Sequence, residues 1–184
     1  MSSMLLGFNT KVQIENVLST LIGSPIRKIR RSAFMLGVDY GDDVEYTDLT
    51  GSKRGQVRMV PQYSIHVHSS WRILKNNDIC LGQSDLSRKF EGFKSHENND
   101  EVFDREEVFT EASKELNEIF RAGTIKVIRI EASSFGDLKI YMENGYCLEL
   151  FVDSVGATES WRFFSMDDDS CHFVVFDECD NGTI

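Results

Sequence analysis

The sequence predicts an α+β protein with a single domain, residues 1–184, in which mainly antiparallel β-sheet packs against an N-terminal helix and a central helix. Three observations predict this class: two amphipathic helical stretches, many short strand-like segments, and one clear hairpin signal. Of the 184 residues, 41% are hydrophobic and 11% aromatic, which is enough for a core that needs no disulfide or metal. Each element has its own local signal.

The N-terminal helix is predicted over about residues 11–22. Thr10 and Gln13 have the spacing of a capping box, and the apolar residues that follow fall on one face of a helix. Gly23 supplies a left-handed stop before Pro25. The apolar face predicts that this helix packs on a sheet.

The central helix is predicted between Asp104, which can cap it, and Gly123, which ends it. Its apolar residues form one stripe at helical spacing: Phe109, Ala112, Leu116, Ile119 and Phe120. The preceding segment, residues 89–104, is polar and charged. Segment and helix together, residues 89–123, connect two halves of the chain.

Most of the remaining chain is predicted to form strands, because short segments rich in Ile, Val, Phe and Tyr alternate with polar residues. The strongest local signal is Asn144-Gly145, which lies between two such segments. A type I′ turn requires positive φ at both central residues, and this pair tolerates it best. We therefore expect an antiparallel hairpin centred there.

The two halves, about residues 24–88 and 124–176, show an ordered internal repeat. A Tyr-led strand segment in each half is followed by a Trp-Arg pair. The corresponding positions are Tyr63, Trp71 and Arg72 in the first half, and Tyr146, Trp161 and Arg162 in the second. Each half is expected to be a small antiparallel meander, and the two meanders form either one continuous sheet or a sandwich.

The formal net charge is −10 and is distributed unevenly. Residues 1–99 hold 13 Lys and Arg against 10 Asp and Glu, whereas residues 100–184 hold 7 against 20. A nucleic-acid-binding surface needs a net basic stripe, so no nucleic acid partner is expected. The acidic half indicates either a basic protein partner or a solubilising surface, and its candidate binding residues are Asp167, Asp168 and Asp169.

The compartment is predicted from the start of the chain, its hydropathy and its cysteines. Residues 1–8 lack the regions of a signal peptide, and no apolar run approaches the roughly 20 residues that a bilayer span requires. The four cysteines have no C-x-x-C spacing and are interpreted as reduced thiols: Cys80, Cys147, Cys171 and Cys179. We expect a cytoplasmic protein with no membrane association.

The two Trp-Arg pairs allow two interpretations. In the first, Trp71 and Trp161 fill the core while Arg72 and Arg162 lie on the opposite face of their strands. In the second, all four residues rim a binding groove, because Trp and Arg often anchor protein interfaces. The second interpretation makes them candidate binding residues.

A metal site is an alternative function. His66 and His68 are two residues apart in a predicted strand, so their side chains share one face at a spacing that metals use. The candidate third ligand comes from the other half, either from the Cys171-His172 pair, with His172 preferred, or from Asp153. Alternatively, His66 and His68 are ordinary residues of a solvated face. We expect no cofactor.

Catalysis has no positive signal in the sequence. The chain contains no G-x-S-x-G elbow, and the adjacent Cys171 and His172 would point to opposite faces of a strand. The acidic run 167–169 lacks the alternating spacing of a calcium loop. No catalytic residue is predicted.

Residues 63–73 (YSIHVHSSWRI), 159–164 (ESWRFF) and 172–175 (HFVV) resemble stretches of small, acidic, uncharacterised bacterial proteins, some of which sit beside polymorphic toxins. The resemblance covers most of the chain and carries no catalytic residues. It implies an intracellular binding protein of the toxin-immunity type, which acts by occluding its partner. A small-molecule sensor with a pocket between the halves is a further alternative, and the sequence leaves the oligomeric state open.

Overall fold

The computed structural model of the protein describes residues 4–5, 11–48, 51, 54–88, 108–153, 159–166 and 172–176. Several sequence predictions lie outside this part of the chain: the caps at Thr10 and Asp104, the connection 89–104, the acidic residues 167–169, Cys171 and Cys179, and the side chain of His172. The helices, the strands and the remaining candidate residues fall within it.

The described residues form an α+β fold, which confirms the predicted class. The helices are α1 (Lys11–Leu18) and α2 (Val108–Arg121). The strands are β1 (Met4–Leu5), β2 (Ile26–Ser32), β3 (Met35–Thr47), β4 (Val57–Val67), β5 (Ser70–Lys75), β6 (Asp78–Gly82), β7 (Val127–Ala132), β8 (Leu138–Met142), β9 (Tyr146–Phe151), β10 (Glu159–Ser165) and β11 (His172–Phe176).

Both helices end where the sequence predicts. α1 continues into a 3-10 turn, Ser19–Leu21, and the chain then turns at Gly23 with φ of +87°. α2 ends two residues before Gly123, whose φ is +68°. Glycine adopts this left-handed backbone without a Cβ penalty. The helices bury their apolar faces through Ile14, Leu18, Leu21, Phe109, Leu116 and Phe120.

The strands form two sheets that exchange strands between the halves of the chain. The order is β1-β11-β10-β4-β3-β2 in the first sheet and β6-β5-β9-β8-β7 in the second. Every pair is antiparallel except β1 with β11. The first half of the chain contributes β2 to β4 to the first sheet and β5 and β6 to the second. The second half contributes β7 to β9 to the second sheet and β10 and β11 to the first.

The strand registers correspond where the two halves meet. Arg162 of β10 pairs with His66 of β4, and Arg72 of β5 pairs with Glu149 of β9. His66 and Glu149 are each the fourth residue of the Tyr-led segment in their half. Strand order and register are thus compatible with two related halves, and their origin by duplication stays a prediction.

The hairpin of β8 and β9 is present, with a different turn from the one expected. Asn144 and Gly145 have positive φ of 58° and 76°, as the sequence predicts. The loop, however, contains the three residues Glu143–Gly145, because Tyr141 pairs with Cys147. The prediction of a two-residue type I′ turn was therefore wrong, and the longer loop shifts the pairing of β8 with β9 by one residue.

The two helices cover the outer edges of β2 and β7. α2 contacts β2, where the side-chain amide of Asn117 accepts the Ile29 N–H at 2.7 Å and donates to the Ile29 carbonyl at 2.8 Å. α1 contacts β7, where Glu15 accepts the Ala132 N–H at 3.1 Å. Covering a sheet edge in this way prevents its unpaired backbone groups from pairing with another chain.

One hydrophobic core includes residues of both sheets and both helices. Along β4 and β10, core residues alternate with residues on the opposite face of the first sheet, which we call its outer face. In the part of the chain described here, no helix is long and apolar enough to cross a membrane. The described polar candidates His66, Arg72 and Arg162 lie on the outer faces of the sheets.

Candidate binding surfaces

The two tryptophans of the Trp-Arg pairs lie in the core. Trp71 is 3% exposed and Trp161 is fully buried. The indole N–H of Trp161 donates to the Gly136 carbonyl at 2.8 Å, whereas the indole nitrogen of Trp71 is buried without a hydrogen-bond partner. Burial removes both indoles from the surface, so Arg72 is the surface member of one pair and Arg162 of the other.

A row of side chains crosses four strands on the outer face of the first sheet. Arg30 of β2 pairs with Gly37 of β3, Gly37 pairs with His66 of β4, and His66 pairs with Arg162 of β10. A Cβ at Gly37 would lie 2.8 Å from Nη1 of Arg30. The missing side chain therefore lets Arg30 lie over β3 and reach one group of β3 and one of β4.

The first of these groups is a buried carboxylate. Arg30 donates from Nε and Nη2 to the two oxygens of Asp39, both at 3.1 Å. The Ser64 hydroxyl donates to the same carboxylate at 2.5 Å. Asp39 is 6% exposed, and a carboxylate so deeply placed is stable when charged donors satisfy its oxygens.

The second group is the imidazole of His66. Nη2 of Arg30 lies 3.0 Å from Nε2 of His66, and because a guanidinium only donates, Nε2 accepts. The ring also packs edge-on against Phe164, with centroids 4.7 Å apart. Burial, followed by the positive charges of Arg30 and Arg162, lowers the pKa of His66 to about 4. His66 is thus a neutral ring at pH 7.

This arrangement disfavours a metal ion on His66, because its Nε2 lone pair already accepts from a cation. Nε2 of His68 lies 3.6 Å from a carboxylate oxygen of Glu159, which also accepts from Arg162 at 2.5 Å. Within the described ranges, no group of three His, Cys, Asp or Glu side chains is placed to hold a metal. The metal alternative gains no support from these residues.

The outer face of the second sheet carries a corresponding row in which a glutamate takes the place of the histidine. Glu149 accepts from Nε of Arg72 at 2.5 Å and from Nζ of Lys139 at 2.9 Å. Burial raises the pKa of Glu149, but the two hydrogen bonds outweigh burial and hold it below its usual value. The hydrogen bond to Glu149 raises the pKa of Lys139. The Glu149 carboxylate and the Lys139 ammonium are therefore both charged at neutral pH.

Aromatic rings beside this row are held by cations. Arg72 lies over the Phe151 ring at 5.2 Å, and Arg129 lies over the Tyr141 ring at 3.8 Å. The Tyr141 hydroxyl donates to Glu131 at 2.9 Å, which fixes the ring from its other end. These contacts restrain the orientation of both rings on this face.

A groove of about 420 Å³ opens on this face, and we call it the turn groove. Its lining includes Leu74, Asn76, Ile128, Lys139, Tyr141 and Glu149. The β5–β6 turn and the β8–β9 turn meet at one end of the groove, where the Asn76 N–H donates to the Gly145 carbonyl at 2.9 Å. The groove thus draws residues from both halves of the chain.

One residue of the groove lining is a cysteine whose thiol has low reactivity. Cys147 is 7% exposed, and burial raises the pKa of its thiol to about 11. Only the thiolate is a good nucleophile, so this side chain is a poor candidate for covalent chemistry at neutral pH.

The third surface is a two-stranded ribbon formed by Asp43–Thr47 of β3 and Val57–Pro61 of β4. The ribbon extends beyond the flanking strands of the sheet. β2 pairs with β3 only as far as Tyr40, and β10 pairs with β4 only as far as Tyr63. Asp43 and Glu45 are exposed on β3. Val57 and Met59 are 62% and 58% exposed on β4. Arg58 lies on the opposite face of the ribbon, over the Tyr46 ring. We call the face that carries Asp43, Glu45, Val57 and Met59 the acidic ribbon.

Comparison with protein-family models, with curated proteins and with solved structures finds no match for this chain. Its function is therefore inferred from the surfaces described above and from the charge of the sequence.

Proposed function

We propose that this protein is a cytoplasmic binding protein of the toxin-immunity type, which neutralises a basic partner protein by occluding it and not by turnover. The observation that carries the proposal is the position of the acidic ribbon beside the strand end that leads into Asp167, Asp168 and Asp169.

The pairing of the strands supports this juxtaposition. β10 ends at Ser165, which pairs with Tyr63 at the base of the ribbon. The next residue, Met166, donates its N–H to the Gln62 carbonyl at 2.8 Å. Met166, which directly precedes the acidic triplet in the sequence, therefore lies at the base of the ribbon.

The ribbon combines the two components that protein interfaces use. Glu45 pairs with Met59, so an exposed carboxylate and an exposed apolar side chain lie next to each other. Apolar contacts surrounded by charged groups are typical of the centre and rim of an interface. The negative charge would accelerate encounter with a basic partner and would make binding weaken as salt rises.

Affinity capture from source-cell lysate tests the proposal when wild-type protein is compared with two charge-reversed variants. The first carries Asp167→Lys, Asp168→Lys and Asp169→Lys, and the second carries Asp43→Lys and Glu45→Lys. We expect wild type to retain a basic protein at 50 mM salt and to release it progressively as salt rises over a range of a few hundred millimolar. Both variants should lose it.

A matched control is available on α2, where Glu111→Lys, Glu115→Lys and Glu118→Lys change the net charge by the same amount as the first variant. These residues lie on a helix away from the ribbon. Equal loss of capture in this control would show that the partner responds only to net charge. Unchanged capture by both ribbon-side variants would remove this surface from the proposal.

A further inference from the structure

The turn groove has the volume of a small-molecule site, and the charge of its lining decides which class of molecule fits. Its volume of about 420 Å³ lies within the ~300–1,000 Å³ of typical ligand pockets. The charged residues of the lining are Lys139, Glu143 and Glu149, one ammonium against two carboxylates. The net charge of the lining is therefore negative, which favours a cation over an anion.

Two of these three charges already neutralise each other. Nζ of Lys139 lies 2.9 Å from one carboxylate oxygen of Glu149. The other oxygen accepts from Nε of Arg72, which lies outside the lining. Glu149 is only 5% exposed, so little of its carboxylate faces the groove. The charge that remains for a ligand is that of Glu143.

Glu143 belongs to the β8–β9 turn, at the end of the groove where the two turns meet. Its Oε2 accepts the backbone N–H of Lys126 at 3.1 Å, which holds the side chain in place. Within the part of the chain that the structure describes, no cation pairs with this carboxylate. The side chain is half-buried, so its charge is screened less by water than that of a fully exposed glutamate.

Neutral oxygen atoms lie at the same end of the groove. The lining includes three exposed asparagines, Asn76, Asn77 and Asn144, and none of their side chains has a hydrogen-bond partner among the described residues. A Cβ at Gly145 would overlap Oδ1 of Asn76, so the glycine lets this amide lie over the neighbouring turn. An ammonium has three N–H donors, and a carboxylate with nearby amide oxygens supplies acceptors for them.

The walls of the groove favour an apolar or aromatic body attached to that ammonium. Ile128 is 56% exposed, and the half-buried Leu74 and Tyr141 line the same space. Exposed apolar area next to a restrained aromatic ring is the usual lining of a ligand pocket.

We propose that the turn groove binds a small organic cation, a primary amine carried on an apolar or aromatic group. The ammonium binds Glu143 and amide oxygens of the turn asparagines, while the apolar body packs against Ile128 and Tyr141. Lys139 stays bound to Glu149 and disfavours anions. The site shares no residue with the acidic ribbon, so either proposal can fail without the other.

Matched probes test the site by nuclear magnetic resonance of the full chain at pH 7. Benzylamine carries both the ring and the cation, benzyl alcohol lacks the charge, methylamine lacks the ring, and benzoate reverses the charge. We expect benzylamine to shift the backbone signals of residues 74–77 and 139–149. The other three probes should bind at least about tenfold more weakly, because each loses one set of contacts.

Three variants separate a binding site from general attraction to an acidic protein. Glu143→Gln keeps an acceptor for the Lys126 N–H but removes the charge, and it should weaken benzylamine about tenfold or more. Ile128→Lys places a competing cation at an exposed position and should weaken it to a similar extent. Lys139→Met removes a repelling charge and should tighten it several-fold.

Two substitutions on the exposed face of α2 are the controls for these changes in net charge. Glu115→Gln matches Glu143→Gln, Lys114→Met matches Lys139→Met, and both should bind benzylamine as wild type does.

The proposal is overturned if benzylamine leaves the groove signals unshifted, if benzoate binds more tightly than benzylamine, or if Glu143→Gln and Ile128→Lys bind benzylamine as wild type does. It is also overturned if Glu115→Gln weakens benzylamine as much as Glu143→Gln, because binding then reflects only net charge. If Lys139→Met fails to fold, Glu143→Gln still decides the outcome, since its contact with Lys126 is retained.

Discussion

Replacing Gly37 with alanine tests the physical basis of the outer row of the first sheet. The new Cβ would lie 2.8, 2.9 and 3.0 Å from Nη1, Cζ and Cγ of Arg30. Nη1 and Cζ lie at the flexible end of Arg30, but Cγ lies near its root, so the side chain has to shift away from Gly37. We expect this shift to break the two hydrogen bonds of Arg30 to Asp39 and the one to His66.

The size of the effect follows from these contacts. A buried carboxylate that loses a charged partner costs about 1.5–3 kcal/mol. Arg30 is 36% exposed, so solvent screening reduces that value, and the smaller entropy of the unfolded alanine chain offsets about 0.5 kcal/mol. We expect a net loss of about 1–2 kcal/mol in the free energy of unfolding. For a chain of this length that loss lowers Tm by about 2–8 °C.

Chemical denaturation and calorimetry of Gly37→Ala measure this loss, and Gly82→Ala is the matched control. Gly82 also lies in a strand, but the nearest atom to its added Cβ is 3.7 Å away, an ordinary contact. The control should therefore be neutral or slightly stabilising. If Gly37→Ala is as stable as Gly82→Ala, Arg30 does not depend on the open space over Gly37 and the reasoning fails.

Three other predictions concern single side chains. The pKa of His66 is lowered to about 4 in the folded state, so as pH falls the imidazole takes up its proton in the unfolded chain before it does so in the folded one. Stability should therefore fall as pH drops from about 6.5 towards 4. In urea unfolding, the difference in free energy of unfolding between pH 7 and pH 4.5 should be smaller for His66→Gln than for wild type. Trp161→Phe should cost about 1 kcal/mol more than Trp71→Phe in the same assay, because only the Trp161 indole has a hydrogen-bond partner to lose, and equal costs would contradict this. Asn117→Ala removes two hydrogen bonds to Ile29 and uncovers the edge of β2. It should lower the free energy of unfolding by about 1–3 kcal/mol and promote self-association, which sedimentation experiments detect. Lys114→Ala on the same helix should do neither.

The local features of the fold were accessible from sequence because they depend on neighbours in the chain. Glycine at positions 23 and 123 favours a helix end through its own backbone freedom, and alternation along β4 separates Ile65 from His66 on any sheet. The comparison of the two Tyr-led segments also placed His66 and Glu149 at corresponding positions.

The candidate site was only partly accessible. Sequence reasoning selected Arg72 but missed Lys139 and the turn groove. A signal existed, since Lys139 and Glu149 flank the predicted hairpin, but a two-residue turn places Lys139 opposite Leu150. The three-residue loop that forms shifts the register by one residue and pairs Lys139 with Glu149.

The sequence alone determined the α+β class, the helix ends, the faces of the strands and the excess of acidic residues in the second half. Only the tertiary structure decided that each half gives two strands to the other sheet, that Arg30 crosses Gly37 to reach Asp39 and His66, and that two distant turns enclose a groove. The physical reason is that propensity, capping and alternation act over a few residues. Strand exchange and cross-strand contacts depend on which distant segments bury their apolar faces together.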